Sequence, residues 1–171
     1  SLGHFHAAQV GSTVNKEPTM ALKFSTGLVD TIMTSKSFKE AVEGAASAGF
    51  FIDIYTGTRP ATPDDSAPGT KLARFAATAG ARMHLAAASV GGVIAKDAGE
   101  SWSATGLANG AAGYFRLVTD SDDGSTTSTT AVRVDGTIAV SGSDMDMTST
   151  AVALGAPLLI NSATFTMPKS A

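Results

Sequence analysis

Between Gly113 and Met167 the chain alternates apolar and polar residues with a period of two. Tyr114-Phe115-Arg116-Leu117-Val118-Thr119 leads into a loop of Asp, Gly, Ser and Thr. Thr130-Ala131-Val132-Arg133-Val134, Gly136-Thr137-Ile138-Ala139-Val140 and Ala163-Thr164-Phe165-Thr166-Met167 follow. Phe115 and Leu117 fall on one face, Val132 and Val134 on another, and Ala163, Phe165 and Met167 on a third. Successive side chains of a strand point to opposite faces, so this pattern marks half-buried antiparallel strands. The rest of the chain then has to supply partner strands and a cover.

Phe50-Phe51-Ile52-Asp53-Ile54-Tyr55 is aromatic, β-branched and alternating, and reads as a strong strand. Lys71 to Ala76 and Arg82 to Ala87 are weaker strand candidates, Gly91-Gly92 breaks the next piece before Val93 and Ile94, Ser101 to Ala104 reads as a short strand, and the proline-rich stretch 60–69 is a fixed loop. Residues 26–48 form the helical part. Leu28, Ile32 and Met33 have helical spacing, and Ser37-Phe38-Lys39-Glu40 is a capping-box pattern. Phe38, Ala41, Val42 and Ala45 then share a face, with Gly44 and Gly49 as candidate stops. Leu158-Leu159-Ile160 opens the last strand, whose inward parity slips before Phe165, so a bulge is expected near Asn161.

The expected fold class is therefore all-β: an antiparallel sandwich, jelly-roll-like or immunoglobulin-like, with one or two short N-terminal helices. Residues 1–24 are expected to be an N-terminal arm, and residues 25–171 a single β-sandwich domain with its helix at 26–48. The expected core anchors are Phe51, Ile54, Phe115, Leu117, Val132, Val134, Ile138 and Phe165. Phe51 and Ile54 have opposite parity, so their strand is either covered on both sides or bulged.

Charged residues make up 16% of the chain, against about 25% in ordinary globular domains. A surface left to Ser, Thr, Gly and Ala suits close contact between copies, because few charges need desolvating. The net charge of −3 comes with no basic block, which argues against binding nucleic acid. No apolar run reaches about 18 residues, so no membrane span is expected. The opening residues lack the pattern of a signal peptide. Absence of cysteine removes disulfides and thiolate metal sites.

His4 and His6 have the spacing of two metal ligands on one strand, but no third ligand is near, and a polar tail is the plainer reading. His84 lies in a strand-like segment and reads as a structural histidine. Trp102, the sole tryptophan, is either a core or interface anchor or a sugar-stacking platform. Asp120-Ser121-Asp122-Asp123-Gly124-Ser125 is the densest acidic cluster. It departs from the EF-hand pattern at Gly124 and Ala131, so a solvated hairpin loop is favoured over a calcium site. Asp144 and Asp146 are read the same way. No nucleophile elbow, phosphate loop, dinucleotide motif or zinc-protease motif occurs. The expectation is no enzyme, no catalytic residue, no cofactor and no metal.

From Met20 onward the chain resembles small structural proteins encoded in the virion modules of tailed bacteriophages. The carrying segments are Met20-Ala21-Leu22-Lys23-Phe24-Ser25-Thr26-Gly27-Leu28, Phe51-Ile52-Asp53-Ile54-Tyr55-Thr56-Gly57-Thr58-Arg59-Pro60, Gly113-Tyr114-Phe115-Arg116-Leu117 and Gly155-Ala156-Pro157-Leu158-Leu159-Ile160-Asn161-Ser162. The resemblance implies a particle component in a virion, partnered by copies of itself and by other virion proteins as a homo-oligomer. It carries over no site residues and does not choose between head, neck and tail. A receptor- or glycan-binding β module on a phage tail is the alternative, motivated by Trp102, Tyr114 and the Asp120–Asp123 loop. Leu2, Phe5, Val10 and Val14 make the opening segment more apolar than a solvated tail needs. It is therefore expected to lie on an adjacent subunit or a partner and not on its own core, adding backbone hydrogen bonds at a strand edge.

Overall fold

The computed structural model describes residues 22–119 and 122–166. The elements run β1 (Lys23–Phe24), α1 (Thr26–Thr34), α2 (Phe38–Glu43), β2 (Phe50–Thr56), β3 (Lys71–Phe75), β4 (Val93–Ala95), β5 (Trp102–Thr105), β6 (Gly110–Thr119), β7 (Arg133–Ala139), β8 (Met145–Asp146), β9 (Ala151–Val152), β10 (Pro157–Ile160) and β11 (Thr164–Thr166). The fold is mostly β, with antiparallel sheets and two helices near the N-terminus, as an all-β sandwich requires.

The principal sheet has the order β1-β7-β6-β2-β3, every pair antiparallel, with β8 pairing β7 and β9 pairing β6. Its registers place whole rows of like chemistry side by side. Phe24, Val134, Leu117, Ile52 and Phe75 form one row across the five strands, all apolar. That row faces the core. Onto it pack Leu28 of α1, Ala41 and Val42 of α2, and Met83, Leu85, Trp102 and Phe165. Phe50 meets Trp102 edge-on with centroids 5.5 Å apart, and Phe38 links Phe24 to Phe165. These contacts hold two smaller ribbons, β5-β10 and β4-β11, over the core face. An antiparallel bridge between Ala76 and Ser103 joins the edge of the principal sheet to β5.

The helices start where their caps are. The Ser25 side chain accepts from the Leu28 amide, donates to the Ala131 carbonyl and accepts from the Arg133 amide, so the start of α1 is tied to the strand beside it. Ser37 and Glu40 form the full capping box of α2. That helix ends at Gly44, which leaves Ala45 exposed in a 3-10 turn and off the apolar face expected for it. Met33 is likewise outside the core, 79% exposed.

Other expectations are corrected by the register. Phe50 and Ile52 anchor β2 in the core, while Phe51 is half-buried on the opposite face under the Arg74 guanidinium. The strand is both covered on its two sides and irregular, with register shifts at Ile54/Tyr55 and at Tyr55/Thr56. Val132 is only partly buried. The segment 82–87 makes isolated bridges at Met83 and Leu85, without forming a strand. The change of parity near Asn161 is more than a bulge: the chain leaves β5 after Ile160 and pairs with β4 from Thr164. Lys23 and Phe24, assigned to the arm from sequence, belong to the sheet through their pairing with β7. Residues 1–21, with His4, His6 and the arm contact expected of them, lie outside the described residues.

Candidate functional site

The second face of the principal sheet carries the chemistry. The row next to the apolar one reads Lys23, Asp135, Arg116, Asp53, Arg74 across β1, β7, β6, β2 and β3. Charges alternate in sign at every step, so each strand meets an opposite charge on its neighbour. Arg116 grips Asp135 through both carboxylate oxygens, each at 2.7 Å, and both side chains are fully buried. Arg74 grips Asp53 in the same two-pronged way at 2.6 and 2.7 Å, and Lys71 adds a third contact at 2.7 Å. Such planar pairs match the guanidinium fork to the carboxylate. Beside this row, Arg133 grips Asp122 at 2.6 and 2.9 Å.

Among the described residues, loops cover this face. The cations have donors left over, and they spend them on main-chain carbonyls. Arg116 donates to the carbonyls of Asp65 and Gly124, Arg133 to that of Pro63, and Lys23 to those of Pro60 and Ala61. Tyr114 donates to the Pro68 carbonyl at 2.6 Å and stacks on Tyr55 with centroids 5.1 Å apart. Segments 60–68 and 122–124 are thus fastened down over the charges. Burial pushes the Tyr55 and Tyr114 hydroxyls well above their ordinary range, so both stay protonated donors. Burial works against the Arg116 cation, but Asp135 outweighs it and holds the guanidinium above its ordinary value.

The residues singled out from sequence are dispersed among structural duties. Trp102 is fully buried, a core anchor whose indole donates to Glu100 at 2.7 Å. Tyr114 is fully buried too. Asp120 lies outside the described residues. Asp122 is committed to Arg133, which corrects the solvated-loop reading for that residue. Asp123 accepts from the Ser125 amide and hydroxyl at the exposed tip. Asp144 accepts from the amide and hydroxyl of Thr137, and Asp146 from the amide and hydroxyl of Ser143. No three His, Asp or Glu residues among those described are grouped to hold a metal ion. Among the described residues, no helix is long and apolar enough to cross a membrane.

Sequence reasoning missed the charged row. The signal was present as single charges set between apolar neighbours: Ile52-Asp53-Ile54, Phe115-Arg116-Leu117 and Val132-Arg133-Val134. Alternation alone assigns such charges to water. Two opposite signs at matching depth in neighbouring strands are the clue that they pair.

A further node lies at the opposite side of β2. The Glu100 carboxylate accepts from the His84 amide at 2.9 Å, from the Trp102 indole and from the His84 ring at 2.6 Å. Glu43, fully buried, accepts from the Leu85 amide at 2.8 Å and pairs with Lys39. A shallow depression between α1, α2 and the end of β6 is lined by Thr31, Lys36, Glu43, Gly44, Thr119 and Val132.

The fold and this face define an all-β protein with ion pairs buried on one face of its principal sheet. Comparison with known proteins finds no matching family model, no matching curated protein and no matching solved structure.

Proposed function

We propose that this chain is a non-catalytic structural protein of a tailed-bacteriophage virion, a capsid-decoration, neck or tail component that works through repeated contacts between copies. The observation that carries the reading is where the resembling segments fall. Phe51–Pro60 supplies most of β2 and opens the fastened loop, Gly113–Leu117 supplies the middle of β6, and Gly155–Ser162 contains β10. The resemblance therefore runs through the framework of the fold. The surface supports the same reading: Met33, Val90, Leu107, Val140, Leu154 and Leu159 are large apolar side chains exposed on a chain of low charge. Such side chains gain from being covered by another copy. The partners are further copies of this chain and other virion proteins, and the place of action is the virion.

The glycan-binding alternative loses its platforms, since Trp102 and Tyr114 are enclosed. The test is the mass of the assembled species in solution together with the location of the chain in imaged particles. Repeated copies on a head, neck or tail are expected. A strict monomer at high concentration, absent from purified particles, overturns the proposal.

A further inference from the structure

The turn after α2 is strained. Ala46 and Ser47 both sit in the left-handed region, at φ 54° and 52°, without being glycine. Left-handed backbone is disfavoured for side chains with a Cβ and persists only where the surroundings enforce it. The side chain of His84 meets this turn. One ring nitrogen, Nε2, lies 3.1 Å from the Ser47 carbonyl oxygen, and the other, Nδ1, lies 2.6 Å from Glu100 Oε1. Both partners are acceptors only. A neutral imidazole has one N–H and one bare lone pair, so it satisfies one of them and presents a lone pair to the other. The imidazolium satisfies both.

We propose that the His84 imidazolium is a protonation-dependent clasp that holds the strained 44–49 turn against the 96–102 turn. On deprotonation the N–H stays with the Glu100 carboxylate, which makes the stronger, charge-assisted bond. The Ser47 carbonyl then faces a lone pair and is released, and the turn relaxes. Glu43, Gly44, Ala45 and Ala48 line the depression beside α2, so the released turn reshapes that depression.

The surroundings favour the charged ring. The Glu100 hydrogen bond holds its pKa above the ordinary value, burial opposes this, and the Ser47 carbonyl adds to the rise. Glu100 comes from the 96–102 turn and Glu43 from α2, and both attract the cation. Asp97 is a third carboxylate nearby, its amide bonded to the His84 carbonyl. The opposing cations are Lys39 beside Glu43, Lys96 on the Glu100 carbonyl, and Arg82, whose Cβ flanks Gly49 as His84 Nε2 does. A group with a raised folded pKa stabilises the fold below its unfolded value of about 6.5, and that share fades as pH rises through the folded value.

The test is amide hydrogen exchange at Ala48 and Gly49, whose N–H groups bond to the Ala45 and Glu43 carbonyls. It is run on the full chain from about pH 5.5 to about pH 8.5, across the range where histidine changes charge. His84 ring titration is followed in parallel by NMR, with His4 and His6 replaced to simplify assignment. Protection, corrected for intrinsic exchange, is expected to fall roughly tenfold as His84 loses its proton, the factor for one charge-assisted hydrogen bond. His84→Gln is expected to abolish the step, and Glu100→Gln to move both the titration and the step to lower pH. A step that persists in His84→Gln, or wild-type protection that stays flat through the His84 titration, overturns the proposal. The wild-type comparison decides the matter even if either variant fails to fold.

Discussion

Arg116 stands directly opposite Asp135 in the β6-β7 register, and the two side chains lock together with both nitrogen–oxygen distances at 2.7 Å in a site closed to solvent. Removing one member of such a pair strands the other charge. Arg116→Met is therefore expected to cost about 3–5 kcal/mol, whereas Arg116→Met with Asp135→Leu recovers much of the loss. Urea denaturation of the two single variants and the double variant measures this. A loss below about 1 kcal/mol for the single change means that water reaches the pair.

Gly113 and Gly57 give a sharper contrast. A Cβ on Gly113 would lie 1.9 Å from the Gly57 carbonyl oxygen, with no flexible side chain to give way. A Cβ on Gly57 meets nothing, although its φ of 79° strains any other residue. Gly113→Ala is expected to destabilise by about 3 kcal/mol or more, and Gly57→Ala by only about 1 kcal/mol. Thermal melts that rank the two the other way contradict the close approach of β6 to the turn after β2.

Phe115 and Phe51 lie on opposite faces of adjacent strands. Phe115 is buried over Gly136, and Phe51 is half-buried. Phe115→Ala is expected to cost about 3–5 kcal/mol, and Phe51→Ala about 1 kcal/mol, in chemical denaturation. Equal losses would show the faces reversed.

Acid should attack the Asp122–Arg133 pair. Burial alone raises the Asp122 carboxyl, but hydrogen bonds from Arg133 and the Gly124 amide outweigh it and hold the pKa below the ordinary value. A depressed carboxylate lends stability above its unfolded value of about 3.9, and that share is lost as pH falls through the lower folded value. The wild type is expected to lose stability more steeply below about pH 4 than Asp122→Asn. Parallel slopes in pH-dependent melts would remove Asp122 from the account.

The strands were legible in sequence because period two depends on local geometry alone. Phe115, Leu117 and Val134 went to the correct face for that reason. Their partners were not legible. Phe50 and Phe51 are adjacent aromatics with equal claims on the core, and only the register, which sets Phe50 opposite Thr119 and Phe51 opposite Val118, separates them. Met33 had helical spacing, yet α1 ends one residue later and leaves it exposed among the described residues. The buried charges were hidden because their cover is a loop. A covering strand would have shown itself by alternation, but stretch 60–68 covers the charges with carbonyl oxygens, which every residue type carries.

Cations and a tyrosine hold the loop through its carbonyls at Pro60, Ala61, Pro63, Asp65 and Pro68. Anchorage of this sort recognises position along the backbone and is blind to what the side chains are. The side chains of Ala61 and Ser66 are exposed, and the anchorage uses the carbonyl of Ala61, not its methyl group. These two positions form a natural mount on which foreign side chains can be displayed while the sheet beneath keeps its shape.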